Sequence, residues 1–434
     1  MSFSNNETNG GNMINFTVFR NWLHKHLSIS LRNQCICTWY LIFLMSSVRK
    51  HTLEEAAKFS GKNKSQFSKF LKNNSDVAVR NLGSLSKKQA KQFAKIRKTL
   101  AEGKLPWKTA IIIDSTIQNR SSVHPSNAKK FNHGKGFVIG HQWTNIVLVI
   151  NDGVIPLTPI PFYSKNYCKK NKLTYQTEND RIVEYIEKLD LKEYIGRHNP
   201  HEIVVLADGG YDVKKIEKAI VKKKWKFIIA LNKTRNVKSE REYSTTNKTE
   251  GWTQVADFFK RHRWAKWQTI RLKTKSGKRK RMEFRIRQII GYLGKVGKVQ
   301  LICSEFKKRS DGRRKYLACN DLRVKARLII IGYRLRWLIE IFHKQVKMFL
   351  GFEDVATKHF ESVMSHVYWV YCVYILLNFS PPGIPDQIKS LAEKQRIVGD
   401  IVASKETNRV IQLLTQFKGY QRYKKQLQRS LMVV

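Results

Sequence analysis

Tyr333-Arg334-Leu335-Arg336-Trp337-Leu338-Ile339-Glu340-Ile341-Phe342-His343-Lys344-Gln345-Val346-Lys347 is the stretch around which the chain is organised. No Gly or Pro interrupts it, and Leu, Ile, Arg, Lys and Gln dominate, so its composition favours a helix. At about 100° per residue, Tyr333, Arg336, Glu340 and Lys347 fall within roughly one 60° sector. One face therefore carries an aromatic hydroxyl, a guanidinium, a carboxylate and an ammonium. Leu338, Ile341, Phe342, Gln345 and Val346 lie away from that column and are the packing candidates. A carboxylate between two cations reads most simply as an exposed, salt-bridged helix. The apolar, Trp-containing surround points instead to a partly buried polar column, which is more often a site.

Two earlier stretches complete the pattern. Thr109-Ala110-Ile111-Ile112-Ile113-Asp114 is a β-branched run of the kind that forms a strand buried on both faces, and Asp114 stands where it meets Ser115-Thr116. Glu202-Ile203-Val204-Val205-Leu206-Ala207-Asp208 repeats the design, with Gly209-Gly210-Tyr211-Asp212 after it. Asp212 rivals Asp208 by proximity. Asp208 is preferred because it directly ends the strand, whereas Asp212 is placed to cap the next helix.

These residues resemble a known family. Y-x2-R-x3-E-x6-K is the signature of insertion-sequence DDE transposases of the IS-four type, and Tyr333, Arg336, Glu340 and Lys347 match it at every offset. The resemblance extends over most of residues 106–378. It implies a mixed α/β, RNase H-like catalytic core with a β-rich insertion, flanked by an N-terminal helical domain and a C-terminal helical region. It places Asp114, Asp208 and Glu340 as the acidic triad. Tyr333, Arg336 and Lys347 become contacts to DNA phosphates near the transposon end, with Lys344, His343 and Lys135 as weaker candidates.

The chemistry of the residue types agrees. Three carboxylates from separate elements make a hard oxygen site suited to Mg2+ or Mn2+. Two such ions about 4 Å apart can activate a water or a 3′-hydroxyl and stabilise the departing oxygen in phosphodiester displacement. Asp114 is the expected bridge between both ions.

Composition narrows the partner. In 434 residues, 82 Lys and Arg face 33 Asp and Glu, a formal charge of +49 spread along the whole chain. Self-repulsion makes such an excess costly without a polyanion, so double-stranded DNA, as transposon ends and target, is the expected partner. An anionic membrane surface is the weaker alternative. The six cysteines form no C-x2-C pair and no zinc-ligand spacing, and read as free thiols in a reducing compartment. The polar start has no signal-peptide layout, and the runs at 36–45 and 367–379 are too short to span a bilayer. The expectation is a cytoplasmic, nucleoid-associated protein of a prokaryote, working as a homodimer in a synaptic complex.

Five segments follow. Residues 1–105 read as an N-terminal helical DNA-binding domain. Within it, 52–72 has the outline of a helix-turn-helix, with Thr52 and Glu55 as a capping box and Gly61 as the stop. Lys62, Lys64, Gln66 and Lys69 are the groove-facing candidates; two ordinary bundle helices are the alternative. A further basic helix is expected over 85–104. Residues 106–231 and 326–380 supply the two parts of the core, the second bearing Glu340. Residues 232–325 read as the insertion, with alternating basic and apolar positions at 269–274 and 282–287. In relatives that excise DNA through hairpinned ends, an insertion Trp stacks on a flipped base, which makes Trp252, Trp264 and Trp267 eligible, though core packing is the simpler role for each. Residues 381–434 are helical and basic, either DNA-contacting or dimer-forming.

The function so reached is a transposase that binds the terminal inverted repeats of its element and performs metal-dependent strand cleavage and strand transfer. A transposase-derived binding protein without catalysis has no need of three intact carboxylates. Another two-metal DNA nuclease would not explain the Tyr-Arg-Glu-Lys column.

Overall fold

The computed structural model describes residues 16–46, 50–96, 98–120, 125–133, 136–151, 153–245, 250–273, 281–306, 314–379 and 381–416. Lys135, Asp152 and the basic run 420–425 lie outside them. The chain divides into two compact units, one of Met1–Leu85, Gln118–His141 and His343–Val434, the other of Ser86–Ile117 and Gln142–Phe342.

Thirteen strands are described. In chain order they are β1 (Thr109–Asn119), β2 (Lys129–His133), β3 (Gly136–Ile150), β4 (Gly153–Pro156), β5 (Ile160–Pro161), β6 (Ile203–Ala207) and β7 (Lys226–Leu231). Then come β8 (Asn236–Ser239), β9 (Thr253–Gln254), β10 (Gln268–Lys273), β11 (Arg281–Tyr292), β12 (Lys298–Phe306) and β13 (Lys315–Cys319). In the second unit the strand order is β3-β1-β6-β7-β13-β12-β11-β8, with β4 antiparallel on β3. β1, β6 and β7 are parallel, Ile113 pairing with Ala207 and Ala207 with Ile229. A hairpin joined to three parallel strands, with helices between the latter, is an RNase H-like core in a mixed α/β fold.

The β-branched runs explain why these strands are central. Thr109 to Ile113 and all of β6 are buried, so both faces need covering, and apolar side chains supply the contact on each. The helix Glu178–Lys188 starts on a capping box made by Thr177 and Asp180 and buries Ile182 and Ile186. The helix Lys214–Lys222 buries Ile216, Ala219 and Ile220. Gly332, in the helix Ala326–Arg334, comes so near the sheet that a Cβ would stand 2.9 Å from both Ile228 and Trp107. β13 then adds antiparallel to β7, with Leu317 opposite Ala230, so strands of the 232–325 segment extend the sheet beyond its parallel part.

In the first unit, helices Phe16–His26, Leu31–Met45, Leu53–Ser60, Lys64–Asn73 and Phe360–Asn378 pack together. Phe360–Asn378 is long and apolar enough to cross a membrane, but it is almost wholly buried. Tyr40 Oη and His366 Nδ1 meet at 2.7 Å, and Phe70 stacks on Trp369 at 5.9 Å. All six cysteines are free thiols.

Three local expectations are corrected. The stretch around Glu340 is two helices, Ala326–Arg334 and Trp337–Phe349, because the N–H groups of Leu335, Arg336, Leu338 and Ile339 bond three residues back rather than four. Those tight turns advance by about 120° per residue, so a uniform helical wheel does not describe the column. The basic helix expected over 85–104 starts earlier, at Ser75, and ends at Ala94; Ala101 and Glu102 have left-handed backbone. Asp212 caps no helix: Lys214–Lys222 starts at Val213 without a side-chain cap, and it is Asp208 that accepts a hydrogen bond from Gly210 N at 2.8 Å.

Candidate active site

Strand register brings the first two acids together. Ile113 and Ala207 are partners in parallel strands, so Asp114 and Asp208 come next on neighbouring strands, spaced by about 5 Å of sheet. β1 continues through Asp114 to Asn119, so Asp114 is held within a strand, while Asp208 lies just beyond one. Burial pushes the Asp114 carboxyl up to about 6, and the nearby Asp208 carboxylate adds to the rise. Arg336 works against it.

Arg336 is the link to the third acid. Its guanidinium stands 3.5 Å from Asp114 Oδ2 and donates to Glu340 Oε1 one helical turn on. The same guanidinium lies 5.9 Å from the centre of the Tyr333 ring. Tyr333 is buried, which raises its phenol pKa. Asp114, Glu340, Arg336 and Tyr333 thus form one cluster, with Asp208 beside Asp114.

Lys347 belongs to the other unit, where its Nζ pairs with Glu353 at 3.0 Å. In that unit too, His343 is buried, as a packing residue would be, and Lys344 is exposed.

One cation of the site escapes a reading of the sequence. Lys315 opens β13, and its ammonium lies 5.3 Å from the centre of the Tyr333 ring. It senses Glu340 and Asp208 as well as Arg336, and partial desolvation lowers its pKa. Alternation along β13 could have shown that Lys315 and the buried Tyr316 face opposite ways. Residue spacing does not reveal that β13 pairs with β7, and that pairing brings Lys315 to the site.

A second cluster surrounds Asp212. Its side chain is 1% exposed, accepts from Asn232 N at 2.9 Å and faces Arg235. A carboxylate so enclosed is not placed to be an open ligand.

The donor set suits a divalent cation, being carboxylate oxygen throughout, and Asp114 is raised first by burial and then by the Asp208 charge, both of which a bound cation would offset. Among the described residues, however, no three His, Cys, Asp or Glu side chains converge closely enough to enclose an ion. Arg336 stands between Asp114 and Glu340 instead.

The other candidates are dispersed. Lys62, just before the helix Lys64–Asn73, and Lys64, Gln66 and Lys69 on it are all exposed, while Phe67, Phe70 and Leu71 of that helix are buried. Thr52 accepts from Glu55 N at 3.2 Å, and Gly61 closes the preceding helix with φ +67°. Trp264 is 68% exposed, which corrects the expectation of core packing. Trp267 is flanked by the guanidinium groups of Arg285, Arg287 and Arg314 at 5.3, 4.5 and 5.6 Å. Trp252 is half-buried near Lys238.

No curated protein matches the chain. A family model described as the transposase DDE domain matches residues 108–376, from the residue before β1 to the last turns of the Phe360–Asn378 helix. That span takes in Asp114, Asp208, Glu340 and the strands that carry them. With more than half of its length matched, this chain belongs to the transposase DDE domain family, whose members act on DNA.

Proposed function

We propose that the chain is an insertion-sequence transposase of the IS-four type that binds the terminal inverted repeats of its element and moves it by cut-and-paste. Asp114, Asp208 and Glu340 are the catalytic acids of this reading, and they would hold Mg2+ or Mn2+, two ions per site. The observation that carries it is the parallel register of β1 and β6, which sets Asp114 beside Asp208, with Glu340 joined to Asp114 through Arg336. Bound metal supplies a Lewis acid for the scissile phosphate and lowers the pKa of an attacking water or 3′-hydroxyl.

The chain's own residues do the rest. The acids orient the reacting oxygens, and Tyr333 and Arg336 hold phosphates near the cleavage point. In the first step a water oxygen bonds to phosphorus and the bond to the 3′ oxygen breaks, leaving a 3′-hydroxyl. In strand transfer that hydroxyl attacks a target phosphate, and a target 3′ oxygen leaves. The exposed Lys62, Lys64 and Lys69 bind the element's end, and Trp264, the exposed one of Trp252, Trp264 and Trp267, is available to a base. The working form is a homodimer bridging two ends in the cytoplasm.

The test is incubation of the full chain with DNA carrying its own flanking ends and Mg2+, mapping products on both strands. Cleavage at the element boundary that requires all three acids supports the reading. Cleavage without sequence preference would make the protein a nuclease of another kind.

A further inference from the structure

We propose that Asp212, Glu217 and Arg235 form a buried clamp that positions Asp208 by fixing its glycine turn to the first residues of the 232–325 segment. The inference rests on the reading of Asp208 as a catalytic acid.

The need for a clamp follows from the sequence. Asp208 is followed by Gly209 and Gly210, the least restrained residues available, so the turn cannot hold the acid by its own stiffness. On one side, Tyr211 Oη donates to Glu178 Oε1 at 3.2 Å. On the other, Asn232 Nδ2 donates to Gly209 O at 2.8 Å, and Asn232 N donates to Asp212 Oδ2 at 2.9 Å. Arg235 closes the arrangement: Nε stands 3.4 Å from Asp212 Oδ1, and an amino group stands 2.6 Å from Glu217 Oε2.

Arg235 is itself anchored. Its N–H donates to Asn232 O at 2.9 Å, and its carbonyl accepts from Val255 N at 2.8 Å. The helix Val255–Arg261, the turn at 232–235 and the Asp208 turn are therefore one connected piece.

The carboxyl pair explains why the cluster is stable when buried. Glu217 is fully buried, and neither its Oε1 nor Asp212 Oδ1 has a hydrogen-bond donor among the other described groups. A proton shared between the two carboxyls satisfies both atoms, and burial raises the pKa of Glu217 and of Asp212 alike, so the pair holds it together. One shared negative charge then faces one guanidinium, the condition under which buried ions are tolerated. The reaction itself does not use this cluster. Its place, four residues after Asp208, gives it a positioning role.

The test compares the full-length wild type with Arg235→Ala, Asn232→Ala and Glu217→Gln by hydrogen–deuterium exchange, and by Mn2+ calorimetry without DNA. In Arg235→Ala and Asn232→Ala, residues 208–213 should exchange at least about tenfold faster, while 109–117 keep the wild-type rate. Mn2+ binding should weaken by about tenfold in both, as is usual when a group that orients a ligand is removed. Glu217→Gln should behave as wild type, since an amide supplies the same donor. Equal acceleration of 208–213 and 109–117, or unchanged exchange and Mn2+ affinity, would overturn the clamp. Asn232 is exposed, so its variant decides the matter if Arg235→Ala does not fold. Exchange needs no activity: a wild type that fails to cleave DNA refutes the proposed function, and the exchange result still judges the clamp.

Discussion

Ile113 pairs with Ala207 in parallel register, and each is followed at once by an aspartate. Two carboxylates at the same level of adjacent strands repel, and the cost appears at Asp114, raised by burial first and by Asp208 second, to about 6. A divalent cation must displace the proton that Asp114 carries below that value. Mn2+ affinity measured by calorimetry should therefore be nearly flat above pH 7 and fall by about tenfold per unit below pH 6. Asp114→Asn should remove both the affinity and its pH dependence. Unaltered Mn2+ binding in that variant would place the ion elsewhere.

Neutralising an acid should separate chemistry from binding. Asp114→Asn, Asp208→Asn and Glu340→Gln are each expected to abolish strand cleavage while the DNA dissociation constant changes by less than about threefold, because one charge is small against an excess of +49. Gel shifts and single-turnover cleavage on the same DNA check this. Normal cleavage by Asp208→Asn together with inactivity of Asp212→Asn would reverse the choice between those aspartates.

Glu217 gives a stability prediction of definite sign. Its folded pKa, about 8, lies above the unfolded value, so the native state binds the extra proton between roughly pH 4.5 and 8. Its contribution is fully present below the unfolded pKa and is lost as pH rises through about 8. Glu217→Gln cannot ionise, so the melting temperature of the variant should fall less than that of wild type between pH 6 and 9. Parallel melting curves across that range would show that Glu217 is already ionised in the native state.

Much of the core is legible because its signals are local. Ala110–Ile113 and Ile203–Ala207, the stretches that lead into Asp114 and Asp208, are wholly apolar, which fits strands covered on both faces. The break at Leu335–Arg336 is not legible, since no Gly or Pro marks it. Lys315 and the Asp212 cluster escape the sequence for another reason. Both depend on groups that are distant along the chain, Lys315 meeting Tyr333 and Asp212 meeting Asn232 and Arg235. Residue spacing carries no information about such pairs. The position of Asp212 before a helix suggests a cap, yet its burial makes it a partner for Arg235 instead.

Lys315 should matter to the rate. Its ammonium shares the Tyr333 ring with Arg336, at the edge of the acidic cluster, and is placed to take a phosphate oxygen. Lys315→Ala is expected to slow single-turnover cleavage by about 10- to 100-fold at saturating DNA, as removing a charged partner of the reacting group does. Lys315→Arg should retain most of the rate. If both variants cleave as wild type, the lysine only covers the ring.

The exposed lysines of the Lys64–Asn73 helix and the turn before it bear on end recognition. Replacing Lys62, Lys64 and Lys69 by Ala should weaken binding to the element's end and flatten the dependence of log K on log salt by about one unit for each phosphate no longer neutralised. Folding should be unaffected, because the buried face of this helix is Phe67, Phe70 and Leu71. An unchanged slope for the triple variant would leave 52–72 as a helical pair that binds nothing.

Arg336 carries the sharpest expectation. It donates to Glu340 and approaches Asp114, so its removal takes away the guanidinium that offsets the crowded acids. Asp114 should then hold its proton to higher pH, and the phosphate that Arg336 would orient is left without its partner. Dozens of other cations remain for nonspecific attraction, so affinity changes little. Position is another matter, since a misplacement of about 1 Å can cost 100-fold in rate. Arg336→Ala should therefore cut DNA at least about 100-fold more slowly at saturating protein, with its dissociation constant within a few-fold of wild type. Arg336→Lys should recover only part of the rate, because an ammonium cannot reproduce a forked hydrogen-bond pair. Cleavage by Arg336→Ala at the wild-type rate, once DNA is saturated, would reduce the Tyr333–Arg336–Glu340 cluster to a salt-bridged helix face.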